Sequence, residues 1–191
     1  REQIEHLATA GPDAVAKASR RDIGVLAARG ADGATTVAGT MLVAALAGVR
    51  TFATGGIGGV HRGAQSTFDI SADLLELART DVCVVCAGAK SILDLPLTLE
   101  VLETHGVPVL GYRTDEFPAF YSRTSGLGVD ARVETPQEVA DVLAVREELG
   151  VTGGVLVVNP IAAEHELARE RLDEWTDRAL AEADEAGVHG K

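Results

Sequence analysis

Apolar runs of strand length alternate along the chain with segments of helical period, and glycine-rich stretches separate them. The runs lack a polar face, which is typical of parallel strands that are buried on both sides. The pattern therefore predicts an α/β domain with a largely parallel central sheet. The predicted strands span residues 23–28, 50–54, 82–87, 108–112 and 154–158.

The helical segments between these strands differ in polarity. Residues 36–47 are so apolar that we expect a helix buried on most of its faces. Another helix opens at Ser71 and directs four apolar residues toward the core, namely Leu74, Leu75, Leu77 and Ala78. Thr135 and Glu138 have the spacing of a capping box, with proline at the first helical position, which predicts a helix that runs to about Leu149.

The remaining segments fit a single unit. Residues 164–186 are charged and amphipathic, which predicts a helix on the outside of the domain. Residues 114–130 carry no regular period, and both a lid or binding loop and mere irregular packing remain open for them. Because no repeat or long linker divides the chain, we expect one domain over residues 1–191.

Composition and charge exclude several classes of protein and partner. With 46% hydrophobic and 24% charged residues, the chain is neither disordered nor a coiled coil. A net charge of −12 argues against nucleic acid or an anionic membrane as the main partner. The first residues lack the layout of a signal peptide, so we expect a cytoplasmic protein. The only methionine is Met41, so we also expect that the chain was processed or lacks a segment.

The two cysteines, Cys83 and Cys86, form a CxxC pattern that can indicate a redox pair or half a zinc site. They lie in a predicted strand, where residues three apart point to opposite faces. We therefore interpret both as small core residues.

The segment from Thr54 to Gly63 is the first candidate site, because it follows a predicted strand and contains five glycines. Glycines let backbone N–H groups converge on an anion, and Thr54, His61 and Arg62 would add donors. The spacing matches neither a P-loop nor a dinucleotide fingerprint. We favour phosphate binding over a purely structural turn.

Two further candidates follow the glycine-rich segment. Ser71 is a predicted helix N-cap with Asp73 in the first turn, while Asp69 lies just outside and could offer a carboxylate to a divalent cation. Lys90 follows a buried strand and precedes a helix that we expect Ser91 to cap. Desolvation and the helix N-terminus would both favour a neutral, nucleophilic amine there. A lysine that extends into solvent remains equally open.

Lys17 begins a short basic cluster in this acidic chain, which could bind phosphate or simply lie on a loop. The other histidines show no ligand spacing, and we assign them to the surface or to helix ends: His6, His105, His165 and His189.

Taken together, the segments GGIGGVHRGA, DISAD, VCAGAKSILDL and GVPVLGY closely resemble the pseudouridine-5′-phosphate glycosidase family, and the similarity extends over essentially the whole chain. The resemblance implies a three-layer α/β/α fold, a homotrimer and a Mn²⁺ cofactor. It also implies cleavage of the C–C glycosidic bond of pseudouridine 5′-phosphate to uracil and ribose 5-phosphate. Lys90 would then be the catalytic residue, forming an imine with C1′ of the ring-opened ribose.

The resemblance assigns further residues by position. Asp69 is the implied metal ligand, and the implied substrate-binding residues are Lys17, Val37, Thr54, His61, Ser71, Ala72 and Asp73. The family's proton-donating glutamate lies on a segment N-terminal to anything in this sequence, and neither Glu2 nor Glu5 is assigned that role. We therefore expect a fragment of a longer single-domain enzyme. The alternatives are an imine-forming aldolase or lyase for another pentose phosphate, and a non-catalytic sugar-phosphate-binding protein.

Overall fold

The computed structural model describes residues 2–11 and 14–188, apart from the side chain of Asp184. The strands, numbered in chain order, are β1 (Ala16–Ala18), β2 (Gly33–Thr35), β3 (Thr51–Ala53), β4 (Val60–His61), β5 (Cys83–Cys86), β6 (Leu93–Asp94), β7 (Val109–Tyr112), β8 (Ala131–Val133) and β9 (Val155–Val158). The α-helices are α1 (Glu2–Thr9), α2 (Arg20–Arg29), α3 (Val37–Leu46), α4 (Ala64–Thr67), α5 (Ala72–Leu77), α6 (Leu95–Thr104), α7 (Pro136–Glu148) and α8 (Arg169–Glu185).

The main sheet has five parallel strands in the order β3-β5-β9-β7-β8. Val84 and Cys86 point to one face, where they pack with residues of α3, α5 and α6. Cys83 points to the other face, where residues of α7 cover it. The predicted α/β fold with a three-layer α/β/α arrangement is therefore confirmed. Four of the five predicted strands are present, and the short edge strand β8 was not predicted.

The first predicted strand, residues 23–28, is wrong, because these residues belong to helix α2. Ser19 is the N-cap, and its N–H donates to the carboxylate of Asp22 at 2.9 Å. Gly30 ends the helix in the left-handed conformation. A short apolar run does not by itself distinguish strand from helix, and here the capping residues on both sides decide for the helix.

Helix α3 is confirmed, with Thr36 as its N-cap, but the expected burial on most faces is wrong for the described residues. Met41 is fully buried, whereas Leu46 on the opposite side is 77% exposed. Helix α5 begins after Ser71, as predicted. Its Leu74 and Leu77 are fully buried, while Leu75, which was expected in the core, faces outward.

The two C-terminal helices differ from their predictions only in detail. Thr135 caps α7 by accepting a hydrogen bond from the N–H of Glu138, as predicted, but the Glu138 carboxylate accepts from the N–H of Glu134. The final predicted helix is divided into a 3-10 turn, Ala163–His165, and the helix α8. Residues 114–130 are irregular, as expected, apart from isolated bridges.

Both cysteines are buried, and burial raises the pKa of Cys83 to about 11 and that of Cys86 to about 12. Together with their opposite faces, this agrees with the interpretation of both as core residues. Among the described residues, no helix is long and apolar enough to cross a membrane.

Candidate active site

The glycine-rich segment leaves the carboxyl end of β3 and folds back as β4, which pairs with β6 on one side and with Ile70 on the other. This path needs glycine because other parts of the chain lie very close. A Cβ at Gly58 would collide with Ser71, and one at Gly59 would collide with Thr98. The middle of the segment is therefore tightly packed.

Several of its backbone N–H groups already have internal acceptors. Ile57 donates to the carbonyl of Gly88, Val60 to the hydroxyl of Thr98 and His61 to the carbonyl of Asp69. Of the five glycines expected to direct N–H groups at an anion, Gly58 donates instead to the carboxylate of Asp73 at 2.8 Å. Within the described part of the chain, the N–H groups of Gly55 and Gly56 make no hydrogen bond and stand beside the half-buried Thr54. Phosphate binding there stays a prediction.

The carboxylate of Asp73 joins two elements of the site. Asp73 is 5% exposed, and its oxygens accept from the N–H of Ala38 and from that of Gly58, each at 2.8 Å. The first turn of α3, the start of α5 and the glycine-rich segment are thereby held together. The Asp73 carboxylate is thus occupied by backbone donors, which limits the contact with substrate that the sequence suggested for it.

His61 on β4 and Asp69, which precedes the bridged residue Ile70, face one another. The Nδ1 atom of His61 lies 3.9 Å from the Oδ2 atom of Asp69, and both side chains are partly exposed. No cluster of three or more potential metal ligands occurs among the described residues. One carboxylate beside one imidazole therefore fits an ion that keeps water or substrate oxygens for most of its coordination shell.

Lys90 lies at the carboxyl end of β5, where ligands of parallel sheets bind. Its N–H donates to the carbonyl of Ile57 at 3.1 Å, which links the lysine to the glycine-rich segment. The expected cap at Ser91 is wrong, because Asp94 accepts from the N–H of Leu97 and α6 begins only at Leu95. The side chain of Lys90 is exposed, and α6 begins five residues after it.

Lys17 and Val37 approach the same region from the other side. Lys17 lies on β1, which pairs with β2, and the carbonyl of Ala18 accepts from the N–H of Thr36 at the start of α3. Val37 is therefore close to the end of β1. Neither Lys17 nor Lys90 forms a salt bridge within the described part of the chain, which leaves two ammonium groups available for an anionic ligand.

Hydrogen bonds thus connect all the predicted segments. They run from β1 to the start of α3, through Asp73 to the glycine-rich segment, and from there to Lys90. Thr54, His61, Ser71 and Ala72 lie on these same segments. The histidines assigned elsewhere are separate: His6 pairs with Asp32, His105 caps α6 and His165 is in the 3-10 turn. His189 lies outside the described residues.

Sequence reasoning did not identify the contacts made by the irregular segment. Phe120 donates its N–H to the carbonyl of Ala87, and its ring packs so closely on Gly56 that a Cβ there would collide with it. Phe120 has a φ of 63°, a strained value for a bulky residue. The only sequence signal was the lack of regular period, which did not indicate where the segment would pack.

Comparisons with known proteins identify the family of this chain. The family described as "Indigoidine synthase A like protein" matches residues 1–191. The chain belongs to this family. Among curated relatives, the pseudouridine-5′-phosphate glycosidases of Hahella chejuensis and Deinococcus radiodurans are each 59% identical over 191 and 190 residues. The whole chain is covered in both cases, but it spans 63% and 60% of the relatives' own lengths.

Two solved structures share the fold. The prealnumycin C-glycosynthase in complex with ribulose 5-phosphate superposes with a TM-score of 0.92 at 42% identity, covering 99% of this chain and 62% of that one. An indigoidine synthase A-like protein from Thermotoga maritima gives a TM-score of 0.86 at 35% identity, with 93% and 58% covered.

Proposed function

We propose that this chain is part of a pseudouridine-5′-phosphate glycosidase, which hydrolyses its substrate to uracil and ribose 5-phosphate. The observation that carries the proposal is the similarity of the whole of this chain to proteins of that name. In one case the identity is 59% over 191 residues. The site supports it, because an accessible lysine stands at the carboxyl end of β5 beside the glycine-rich segment.

The chemistry that we propose for Lys90 explains how a carbon–carbon bond can break. The neutral amine attacks C1′ as the bond from C1′ to the ring oxygen opens, and the ring oxygen takes up a proton. The nitrogen lone pair then forms a C=N bond while the C1′–C5 electron pair leaves with uracil, which is protonated at C5. Water hydrolyses the imine and frees the lysine. We assign no described residue as the acid for the ring oxygen.

We further propose that Lys17, Val37, Ser71, Ala72 and Asp73 surround the sugar phosphate. Lys17 supplies a positive charge, while Thr54 and His61 contact the phosphate. Val37 and the Ser71–Asp73 turn shape the pocket, with Asp73 acting mainly through the backbone groups that it holds.

The same proposal includes a divalent cation, Mn²⁺, at Asp69. Asp69 with the neighbouring His61 would hold it, together with waters and substrate oxygens, as the donor set permits. Such an ion supplies charge neutralisation next to the bound phosphate. A homotrimer and a cytoplasmic location, which the resemblance implies, also remain part of the proposal.

One observation favours the reverse reaction, in which a C-glycosidic bond is formed. The C-glycosynthase of similar structure is a relative whose name denotes formation of a C-glycosidic bond, and its complex contains a pentose phosphate. An imine at Lys90 could also serve a lyase or aldolase for another pentose phosphate. A sugar-phosphate-binding protein without catalysis would bind the same ligand without covalent reaction.

Chromatography of the products separates these functions. The chain is incubated with pseudouridine 5′-phosphate and Mn²⁺, with uridine 5′-phosphate as the matched N-linked control. Release of uracil and ribose 5-phosphate from the C-linked nucleotide alone supports the proposal. Release of a different carbonyl fragment from another pentose phosphate, without uracil release, would favour the lyase, and binding without turnover would favour the binding protein.

A further inference from the structure

An ion pair between a partly exposed arginine and a buried carboxylate connects helix α2 to helix α5. Glu76 lies in α5 and is 2% exposed. Arg20 donates from Nε to one carboxylate oxygen at 2.5 Å and from Nη2 to the other at 2.6 Å. The hydroxyl of Thr80 donates to the same carboxylate and accepts from Nη2 of Arg20 at 3.1 Å.

This geometry keeps Glu76 ionised inside the protein. Burial alone would raise the pKa of a carboxyl group, but the hydrogen bonds from Arg20 and Thr80 outweigh it, and the pKa of Glu76 lies below its ordinary value. A buried carboxylate with a bidentate guanidinium partner is tightly oriented, since both of its oxygens are held by the two parallel N–H donors of the guanidinium group.

The position of the pair matters because it joins α2, which packs against β1 and α3, to α5. Among the described residues of α2 none is fully buried. Arg20 is its first residue, and Lys17 precedes it by only three positions, on β1. On the other side, Glu76 is five residues after Ser71, the N-cap of the helix whose first turn lies in the candidate site. The pair therefore connects the segment carrying Lys17 directly to the helix carrying Ser71 and Asp73.

We propose that Glu76 is a positioning residue that acts through Arg20 to hold Lys17 at the sugar-phosphate site. Neither Glu76 nor Arg20 contacts the ligand. The proposal rests on the proposed function in one respect, namely that Lys17 binds the anionic substrate. Its consequence is that ligand affinity depends on Glu76 only as long as Lys17 is present.

A double-mutant cycle tests this dependence. The variants are Glu76→Gln, Lys17→Ala and the double variant, with Arg20→Lys as a second probe that keeps the charge but loses the bidentate contact. Val133→Ala, in the edge strand β8, is the control for a loss of stability elsewhere, because its buried side chain lies in the other core cluster. KM and kcat for pseudouridine 5′-phosphate are measured, together with the Kd for ribose 5-phosphate by calorimetry.

We expect Glu76→Gln to raise KM and Kd by about five- to fiftyfold and to change kcat by less than about twofold. Effects on KM and Kd of this size are ordinary for residues that act together. The same substitution should have almost no further effect in the Lys17→Ala background. Arg20→Lys should show a smaller change in the same direction, and Val133→Ala none. If Glu76→Gln leaves affinity unchanged, or weakens it equally with and without Lys17, the proposal is overturned.

The calorimetry keeps this result separate from the proposed function. If the wild-type chain binds ribose 5-phosphate but releases no uracil, the glycosidase proposal fails. The double-mutant cycle, measured as the Kd for ribose 5-phosphate, still decides the role of Glu76. If Glu76→Gln does not fold, Arg20→Lys and its combination with Lys17→Ala provide the same comparison.

Discussion

Asp73 accepts hydrogen bonds from the N–H of Gly58 and from that of Ala38, both at 2.8 Å, and so fixes the glycine-rich segment against the start of α3. Since the carboxylate is almost completely buried, removing an acceptor leaves a buried N–H without a partner. The same side chain therefore determines both the stability of the fold and the shape of the proposed pocket.

Asp73→Asn should lower the free energy of unfolding by about 1–3 kcal/mol, because the amide NH₂ faces an N–H donor where the carboxylate had an acceptor. Urea denaturation measures the loss, and uracil release should fall with it. Asp115→Asn, at an exposed side chain, is the control and should change stability by less than about 0.5 kcal/mol. Equal stabilities for the two variants would contradict the role assigned to Asp73.

Gly58→Ala should be strongly destabilising, because the new methyl group would meet Ser71 and Asp73. Gly24→Ala is the matched control: a Cβ meets nothing within 4 Å there, and alanine favours a helix interior by up to about 1 kcal/mol. Thermal unfolding of both variants checks the pair. If Gly58→Ala were as stable as Gly24→Ala, the segment would have space for the methyl group. That result would contradict the tight packing around Gly58.

The stability of the fold should depend on the ionisation of Glu76. Its pKa is lower in the folded than in the unfolded chain, so its contribution is complete above the unfolded pKa and is lost as the pH falls through the folded pKa. Urea denaturation between pH 7 and pH 3 should therefore show a steeper acid loss for the wild type than for Glu76→Gln. Parallel curves for the two proteins would exclude this contribution.

Asp69→Ala should weaken the binding of Mn²⁺, because it removes the one carboxylate assigned to the ion. The paramagnetic signal of free Mn²⁺ measures binding without any need for turnover. His61→Gln, which keeps a polar side chain beside Asp69, is expected to have a smaller effect. Unchanged Mn²⁺ affinity in Asp69→Ala would reject the assignment.

The sequence predicted most of the main sheet because its strands are apolar on both faces, a signal that depends only on neighbouring residues. It failed at residues 23–28, where Ile23, Val25 and Leu26 fit a strand as well as a helix. It also chose Ser91 rather than Asp94 as a helix cap. Both are good capping residues, and only the pairing of Leu93 and Asp94 with β4 moves the helix start to Leu95.

The site was predictable in its segments but not in its contacts. The glycines marked a turn, yet the acceptors that occupy its N–H groups come from Asp73, Thr98 and Gly88, which no local pattern connects with it. Arg20 and Glu76 are separated by 56 residues and gave no signal in the sequence. Such contacts arise from tertiary packing, which sequence periodicity does not encode.

Lys90 as a nucleophile is the central claim, and borohydride trapping tests it most directly. The chain is incubated with ribose 5-phosphate, Mn²⁺ and the reductant, beside Lys90→Met and Lys17→Met variants, and its peptides are analysed by mass spectrometry. The account predicts a reduced pentose-phosphate adduct on Lys90 in the wild type, less of it in Lys17→Met, and none in Lys90→Met. An adduct on another residue, or no adduct in a wild-type chain that binds ribose 5-phosphate and releases uracil, would contradict the imine mechanism.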